Sequence, residues 1–256
     1  MIREELVMAK FPEELLQRLR QAERIAILTG AGISAESGIP TFRDAQTGFW
    51  SRMKPEDLAT PEAFERNPKL VWDWYAYRRE MVDQASPNAG HYALAKMAEH
   101  VPNLTLITQN VDSLHQRAGS TNVLELHGNI GRVKCSKEHV VIEPSAWLPD
   151  EEIGVPRCPR CQALLRPDIV WFGEVLPTKT FNHAKAACIQ ADVVFSIGTS
   201  GLVPPAATLP VTAIEHGAYG IEVNTDQTYL SDTFECCLRG ASGIILPALV
   251  KAAWPD

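Results

Sequence analysis

Ile25-Ala26-Ile27-Leu28-Thr29-Gly30-Ala31-Gly32-Ile33-Ser34-Ala35-Glu36-Ser37-Gly38-Ile39-Pro40-Thr41-Phe42-Arg43-Asp44, running on to Gly48-Phe49-Trp50, decides how the rest of the chain is read. The apolar run Ile25 to Leu28 is short enough to be a buried parallel strand. Glycines where a strand gives way to a helix let the backbone approach a pyrophosphate, whose charge the free N–H groups and helix dipole offset. Gly38 stands eight residues after Gly30, not five as in the usual dinucleotide fingerprint, so a plain tight turn is the alternative. Pro40, Phe42 and Arg43 add a rigid kink, an aromatic face and a permanent cation, parts suited to closing over a ligand.

Apolar strands ending in polar or glycine-rich clusters recur along the chain. Leu104 to Thr108 ends in Gln109-Asn110-Val111-Asp112, and Val123 to Leu126 ends in His127-Gly128. Val193 to Ile197 ends in Gly198-Thr199-Ser200, and Gly220 to Val223 ends in Asn224-Thr225-Asp226. In open α/β sheets ligands bind outside the carboxyl ends of the strands, so the five clusters are expected to meet in one crevice. The fold predicted is an α/β, Rossmann-like doubly wound parallel sheet with a helical insertion and a small zinc-ribbon-like module. The sheet part covers about 12–50, 102–129 and 169–253, the insertion about 51–101 and the module about 130–168. Helices are predicted from Pro12 to Ala22, from Asn67 and Pro68 through Asp83, from Asn88, and near Lys179 to Gln190.

The 256 residues suffice for a generous core without staples, and 45% hydrophobic with 21% charged residues fits a soluble globular protein. A net charge of -7 argues against non-specific nucleic-acid affinity. No apolar segment reaches the length of a membrane span, and Glu4 and Glu5 interrupt any secretory pattern, so a cytoplasmic location is expected. Six cysteines at this length point to metal or redox chemistry, not to a disulfide scaffold.

Together these motifs resemble the sirtuins, the NAD-dependent protein lysine deacylases. The resemblance spans nearly the whole chain: Gly30 to Ser34, Thr41 to Arg43, Thr108 to Asp112, His127-Gly128, Val170-Trp171-Phe172-Gly173-Glu174, Gly198 to Ser200, and Asn224-Thr225. It implies that NAD is consumed as a co-substrate. The acyl oxygen attacks the ribose carbon as nicotinamide leaves, through an alkylimidate-like intermediate, releasing lysine and O-acyl-ADP-ribose. By the same resemblance His127 is the general base toward a ribose hydroxyl, in keeping with an imidazole pKa near ~6.5. Asn110 and Asp112 orient nicotinamide and its ribose, and Gln109 contacts the adjoining ribose. Gly30, Ala31, Gly32, Ser34, Ala35, Thr41, Phe42, Arg43 and Trp50 are implied for the cofactor loop. Gly198, Thr199, Ser200, Asn224, Thr225, Asp226 and Ser242 are implied for the adenosine and phosphate side. Val170, Trp171, Phe172, Gly173 and Glu174 match the segment that pairs with the substrate backbone, Val170 beside the acyl-lysine tunnel.

Trp74-Tyr75-Ala76-Tyr77-Arg78-Arg79-Glu80, with Asp57-Leu58-Ala59-Thr60-Pro61 before it, resembles the desuccinylase and demalonylase branch. On a helix Tyr75 and Arg78 share a face and could clamp one carboxylate. The alternatives are a deacetylase without acidic-acyl preference and a mono-ADP-ribosyltransferase. Acyl-lysine proteins or peptides are the expected partners, with neither nucleic acid nor membrane, for a monomeric enzyme.

Cys158-Pro159-Arg160-Cys161 is half of a structural zinc site, and the family normally supplies a second Cys-x-x-Cys. Here Cys135 is followed by Ser136, Lys137, Glu138 and His139. Cys135, His139, Cys158 and Cys161 form an acceptable Cys3His set for one structural zinc ion. A module that folds without metal, or a site completed by another residue, are the alternatives. Cys188, Cys236 and Cys237 read as buried or incidental thiols.

Overall fold

The computed structural model describes residues 11–40, 53 and 58–255. Strand β1 (Arg24–Thr29) buries every residue but its first, the pattern of a strand covered on both faces. It pairs in parallel with β2 (Asn103–Thr108) on one side, and β2 pairs with β3 (Val123–Glu125). After an antiparallel pair, β4 (Gly128–Cys135) and β5 (Leu165–Ile169), the chain returns to the other side of β1 with β6 (Val193–Ile197). Next come β7 (Tyr219–Asn224) and β8 (Cys236–Arg239). The order β3-β2-β1-β6-β7-β8, all parallel, reverses direction between β1 and β6. That reversal opens the crevice in which doubly wound sheets bind ligands.

Helix α1 (Glu13–Gln21) places Leu15, Leu16 and Leu19 on one stripe, and they are buried against the sheet. The insertion holds α2 (Pro61–Arg66), α3 (Pro68–Gln84) and α4 (Ala89–Met97). Thr60 caps α2 through Ala63 N (3.1 Å), and Asn67 caps α3 through Leu70 N (3.1 Å), each followed by proline at the first helical position. Further on lie the single turn α5 (Leu114–Arg117), α6 (Thr178–Ile189), α7 (Thr208–Glu215) and α8 (Ser242–Ala253). Leu94 and Met97 of α4 and Leu246 and Leu249 of α8 join α1 on one face of the sheet; α6 and α7 cover the other with Ala184, Cys188, Leu209 and Ala213.

The predicted strands and helices are found, with two differences. Residues after Gly30 form a 3-10 helix, Ala31–Ser37, closed by Gly38 in the left-handed conformation at φ 81°. The sheet also has a sixth strand, β8, in the stretch read as incidental thiols. Its alternation of buried Cys236 and exposed Cys237 is that of a short edge strand, hydrogen-bonded on one side only.

Candidate active site

Gly30 and Gly32 leave β1 directly against the turn after β6. Gly30 N–H donates to the Ile197 carbonyl (2.9 Å) and Gly32 N–H to the Gly198 carbonyl (2.8 Å). A methyl group on Gly32 would stand 2.7 Å from Gly198 Cα, and one on Gly30 would stand 2.8 Å from the Gly198 oxygen. Backbone cannot yield there, so the glycines are required by the interlocking of two strand ends as much as by any ligand. Thr199 and Gln109 are joined by a side-chain hydrogen bond (3.0 Å), and Asn224 Nδ2 donates to the Thr199 carbonyl (3.0 Å). The ends of β1, β2, β6 and β7 therefore meet, as their polar clusters implied. Thr225 donates to Asp226 (2.9 Å) on the exposed side, and Ser242, buried at the start of α8, has a hydroxyl without a hydrogen-bond partner.

Beneath this turn lies a polar network in an apolar surround. Asn110 Nδ2 donates to the Gly30 carbonyl and to Ser34 Oγ, both at 3.1 Å. Ser34 Oγ in turn donates to Asp112 Oδ2 (2.7 Å), whose other oxygen accepts from Leu114 N–H (2.9 Å). Burial raises the Asp112 carboxyl above the usual range, against the pull of the hydrogen bonds from Leu114 and Ser34. His91 stands 3.4 Å from Ser34 Oγ, and its ring lies 4.9 Å from that of His115, which meets Thr29 Oγ1 at 3.0 Å. Burial pushes His91 down to about 4 and His115, facing His91, to about 3, so both rings are neutral at physiological pH.

His127 follows β3, half-buried, with Nδ1 3.0 Å from the Gln109 carbonyl. A carbonyl only accepts, so Nδ1 carries the proton and Nε2 keeps its lone pair. Burial lowers the His127 pKa, with the Gln109 hydrogen bond opposing. Gly128 is held at φ 82° with its Cα against the Asp168 carbonyl, which a Cβ would meet at 2.0 Å. The His127 carbonyl accepts from Val170 N–H (3.0 Å), and Phe172 N–H donates to Ala59 (2.9 Å). Segment 170–174 is thus pinned at both ends, between the His127 turn and the insertion. Its carboxylate does not face outward: Glu174 takes two hydrogen bonds from Arg166 (2.6 and 2.8 Å) and one from Trp171 N–H (2.8 Å). Phe172 and Gly173 are exposed.

Tyr75 and Arg78 lie one turn apart on α3, and Tyr75 faces that segment. Tyr75 is buried, and its hydroxyl accepts from Trp171 Nε1 (2.9 Å), which leaves its own proton to donate. Burial pushes the phenol up to about 12, Arg78 being the largest opposing influence. The half-buried Arg78 guanidinium stands 5.0 Å from the centre of the Trp74 ring.

In the module, Cys135, Cys158 and Cys161 bring their sulfurs within 4.8 Å of one another, Cys135 and Cys161 at 3.4 Å. This donor set fits a thiophilic cation. The expectation that His139 joins them is not met in this arrangement. His139 is exposed at φ 56°, the left-handed position of a tight turn, and belongs to no cation-sized group with the thiols. Thr41, Phe42, Arg43 and Trp50 lie outside the described residues.

The Sir2 family model matches residues 30–205, the span from the first glycine turn to the loop after β6. The chain belongs to the Sir2 family. This Sir2 chain is 48% identical over 248 residues to an NAD-dependent protein deacylase of Methylococcus capsulatus, covering 95% of this chain and 97% of that protein. It superposes with a TM-score of 0.88 on a Sir2 homologue solved as an NAD complex, at 43% identity and covering 95% and 94% of the two chains. It also matches a Sir2 protein bound to acetylated peptide, at a TM-score of 0.83 and 31% identity, covering 93% and 97%.

Several buried polar residues packed around these site positions escaped the sequence reading. Arg166 is buried beneath the Trp171 ring, its guanidinium 3.3 Å from the ring centre, and an arginine two residues before Asp168 in a short strand reads as an ordinary surface charge. His91 and His115 sit on separate helices with no spacing that joins them.

Proposed function

We propose that this chain is an NAD-dependent protein lysine deacylase that prefers acyl groups ending in a carboxylate, such as succinyl and malonyl. The nucleotide reading rests on the interlocked Gly30–Ser34 and Gly198–Ser200 turns at the reversal point of the sheet, with an unpartnered buried Ser242 hydroxyl beyond them. When bound, NAD supplies a ribose carbon open to attack on loss of nicotinamide. Ser34, Asn110 and Asp112 form the polar floor that would orient the nicotinamide end, Gln109 and Thr199 the adjoining ribose, and Asn224, Thr225 and Asp226 the adenosine side. His127 accepts a proton at Nε2, because Gln109 holds the other nitrogen protonated. Val170 to Gly173 receives the peptide as an added strand.

The observation that carries the acyl preference is the placement, one helical turn apart, of a buried Tyr75 hydroxyl that meets Trp171 and an Arg78 guanidinium desolvated by burial beside the Trp74 ring. Arg78 offers a planar fork matched to a carboxylate and Tyr75 a neutral donor, whereas an acetyl group carries no charge for a guanidinium to meet. A charge-assisted hydrogen bond contributes about 1.5–3 kcal/mol, roughly a tenfold to hundredfold preference. Incubation with NAD and matched succinyl-, malonyl- and acetyl-lysine peptides, followed by product masses, tests this reading. Arg78→Met is expected to cut turnover of the acidic peptides roughly tenfold to hundredfold and that of the acetyl peptide much less. Equal losses on all three peptides would sink the clamp, and ADP-ribosylated protein as the main product would displace the deacylase.

A further inference from the structure

The turn carrying Cys135 and the turn carrying Cys158 are copies of one backbone motif. Cys135 N–H donates to Val140 O (2.9 Å) and His139 N–H to Cys135 O (3.0 Å). In the second turn Cys158 N–H donates to Ala163 O (2.8 Å) and Gln162 N–H to Cys158 O (3.0 Å). The residue before each closing bond is left-handed, His139 at φ 56° and Gln162 at φ 63°. Each leading sulfur accepts an N–H from the residue three positions on: Glu138 N–H reaches Cys135 Sγ at 3.3 Å, and Cys161 N–H reaches Cys158. Superposing the two turns sets Cys135 on Cys158, His139 on Gln162, and Glu138 on Cys161. The position that aims a second ligand inward is thus filled by Glu138, and His139 occupies the position that turns the chain outward.

Glu138 also has a carboxylate oxygen that no hydrogen bond satisfies. Its Oε2 is buried without a hydrogen bond, and Arg160 Nε lies 3.0 Å away as an ion pair without hydrogen-bond alignment. The Arg160 side chain is 62% exposed and so free to withdraw. We propose that Glu138, and not His139, completes a Cys3Glu zinc site with Cys135, Cys158 and Cys161. The carboxylate stands outside the 4.8 Å group of sulfurs, so ligation exchanges its contact with Arg160 for one with the metal. Carboxylate oxygen is a zinc ligand, at about 2.0–2.2 Å. Three thiolates and a carboxylate carry the same total charge as four thiolates, which a histidine would not, and the thiol protons leave to solvent on binding. Four protein ligands make the site structural.

The test is zinc affinity of the full chain, by competition against a chromophoric chelator, with the visible spectrum of the cobalt-substituted protein as a second readout. Glu138→Ala is expected to weaken zinc by about a hundredfold, since even outer partners of a ligand are worth that much, and to shift the cobalt bands. Glu138→Cys should restore or exceed the original affinity, with a four-thiolate spectrum, and His139→Ala should leave both readouts unchanged. Should Glu138→Ala fail to fold, the last two variants decide. A wild-type chain that takes up no zinc, loss of zinc in His139→Ala, or a cobalt spectrum of Glu138→Cys identical to wild type would each overturn the assignment.

Discussion

Glu174→Ala removes the partner of a cation that has almost no access to water. The Arg166 side chain is 4% exposed, and that of Glu174 22%. Breaking a buried pair from one side costs about 3–5 kcal/mol, because the remaining charge is left uncompensated. The partial exposure of Glu174 favours the lower figure, about 3 kcal/mol, and at this chain length roughly 2–4 °C of melting temperature per kcal/mol makes the drop about 6–12 °C. The Trp171 N–H loses its acceptor as well, which loosens the ring that donates to Tyr75. Thermal melts and urea titrations of Glu174→Ala, Arg166→Met and the double variant form the assay. The double variant should be more stable than the sum of the singles, since no charge is left buried alone. Despite burial, Arg166 holds the Glu174 carboxyl below its usual range, so its stabilisation is present above the unfolded value of about 4.3 and lost as pH falls through the folded one. The stability gap between wild type and Glu174→Ala should therefore close in acid. A loss under about 1 kcal/mol, or strict additivity in the double variant, would refute the reasoning.

Two further predictions concern protons. The proposed base His127 must be neutral to act, and burial lowers its pKa, so the acidic limb of kcat/KM should bend below pH ~6.5; a bend above that value counts against His127 in this role. His91 and His115 bind protons in the unfolded chain below ~6.5 but in the fold only near 4 and 3, so stability should fall as pH drops from ~6.5 toward 4. Denaturant titrations across that range check this, and His115→Gln should flatten the slope by about one proton.

The crevice was legible in the sequence because each component is local: an apolar run followed by a polar or glycine turn is written in adjacent residues. The reasons behind those residues were not. Gly32 is needed because Gly198, far along the chain, lies against it, and Gly128 because Asp168 does. Strand β8 escaped notice since a four-residue edge strand with one hydrophobic face carries almost no periodic signal. Arg166 and Glu174 are eight residues apart with a strand end between them, and only the bend after β5 joins them. In the module, counting residues admitted His139, whereas the turn geometry gives the inward position to Glu138.

The single hydrogen bond from Val170 N–H to the His127 carbonyl makes one residue a common datum for two operations. The imidazole and the strand proposed to receive peptide are dimensioned from the same backbone atom, so movement of either carries the other with it. The acyl preference proposed for Tyr75 and Arg78 is meanwhile carried on α3, a separate element whose Tyr75 hydroxyl meets the Trp171 indole. On that proposal aim and selectivity lie on different elements of the fold, with Trp171, next to Val170, as a link between them.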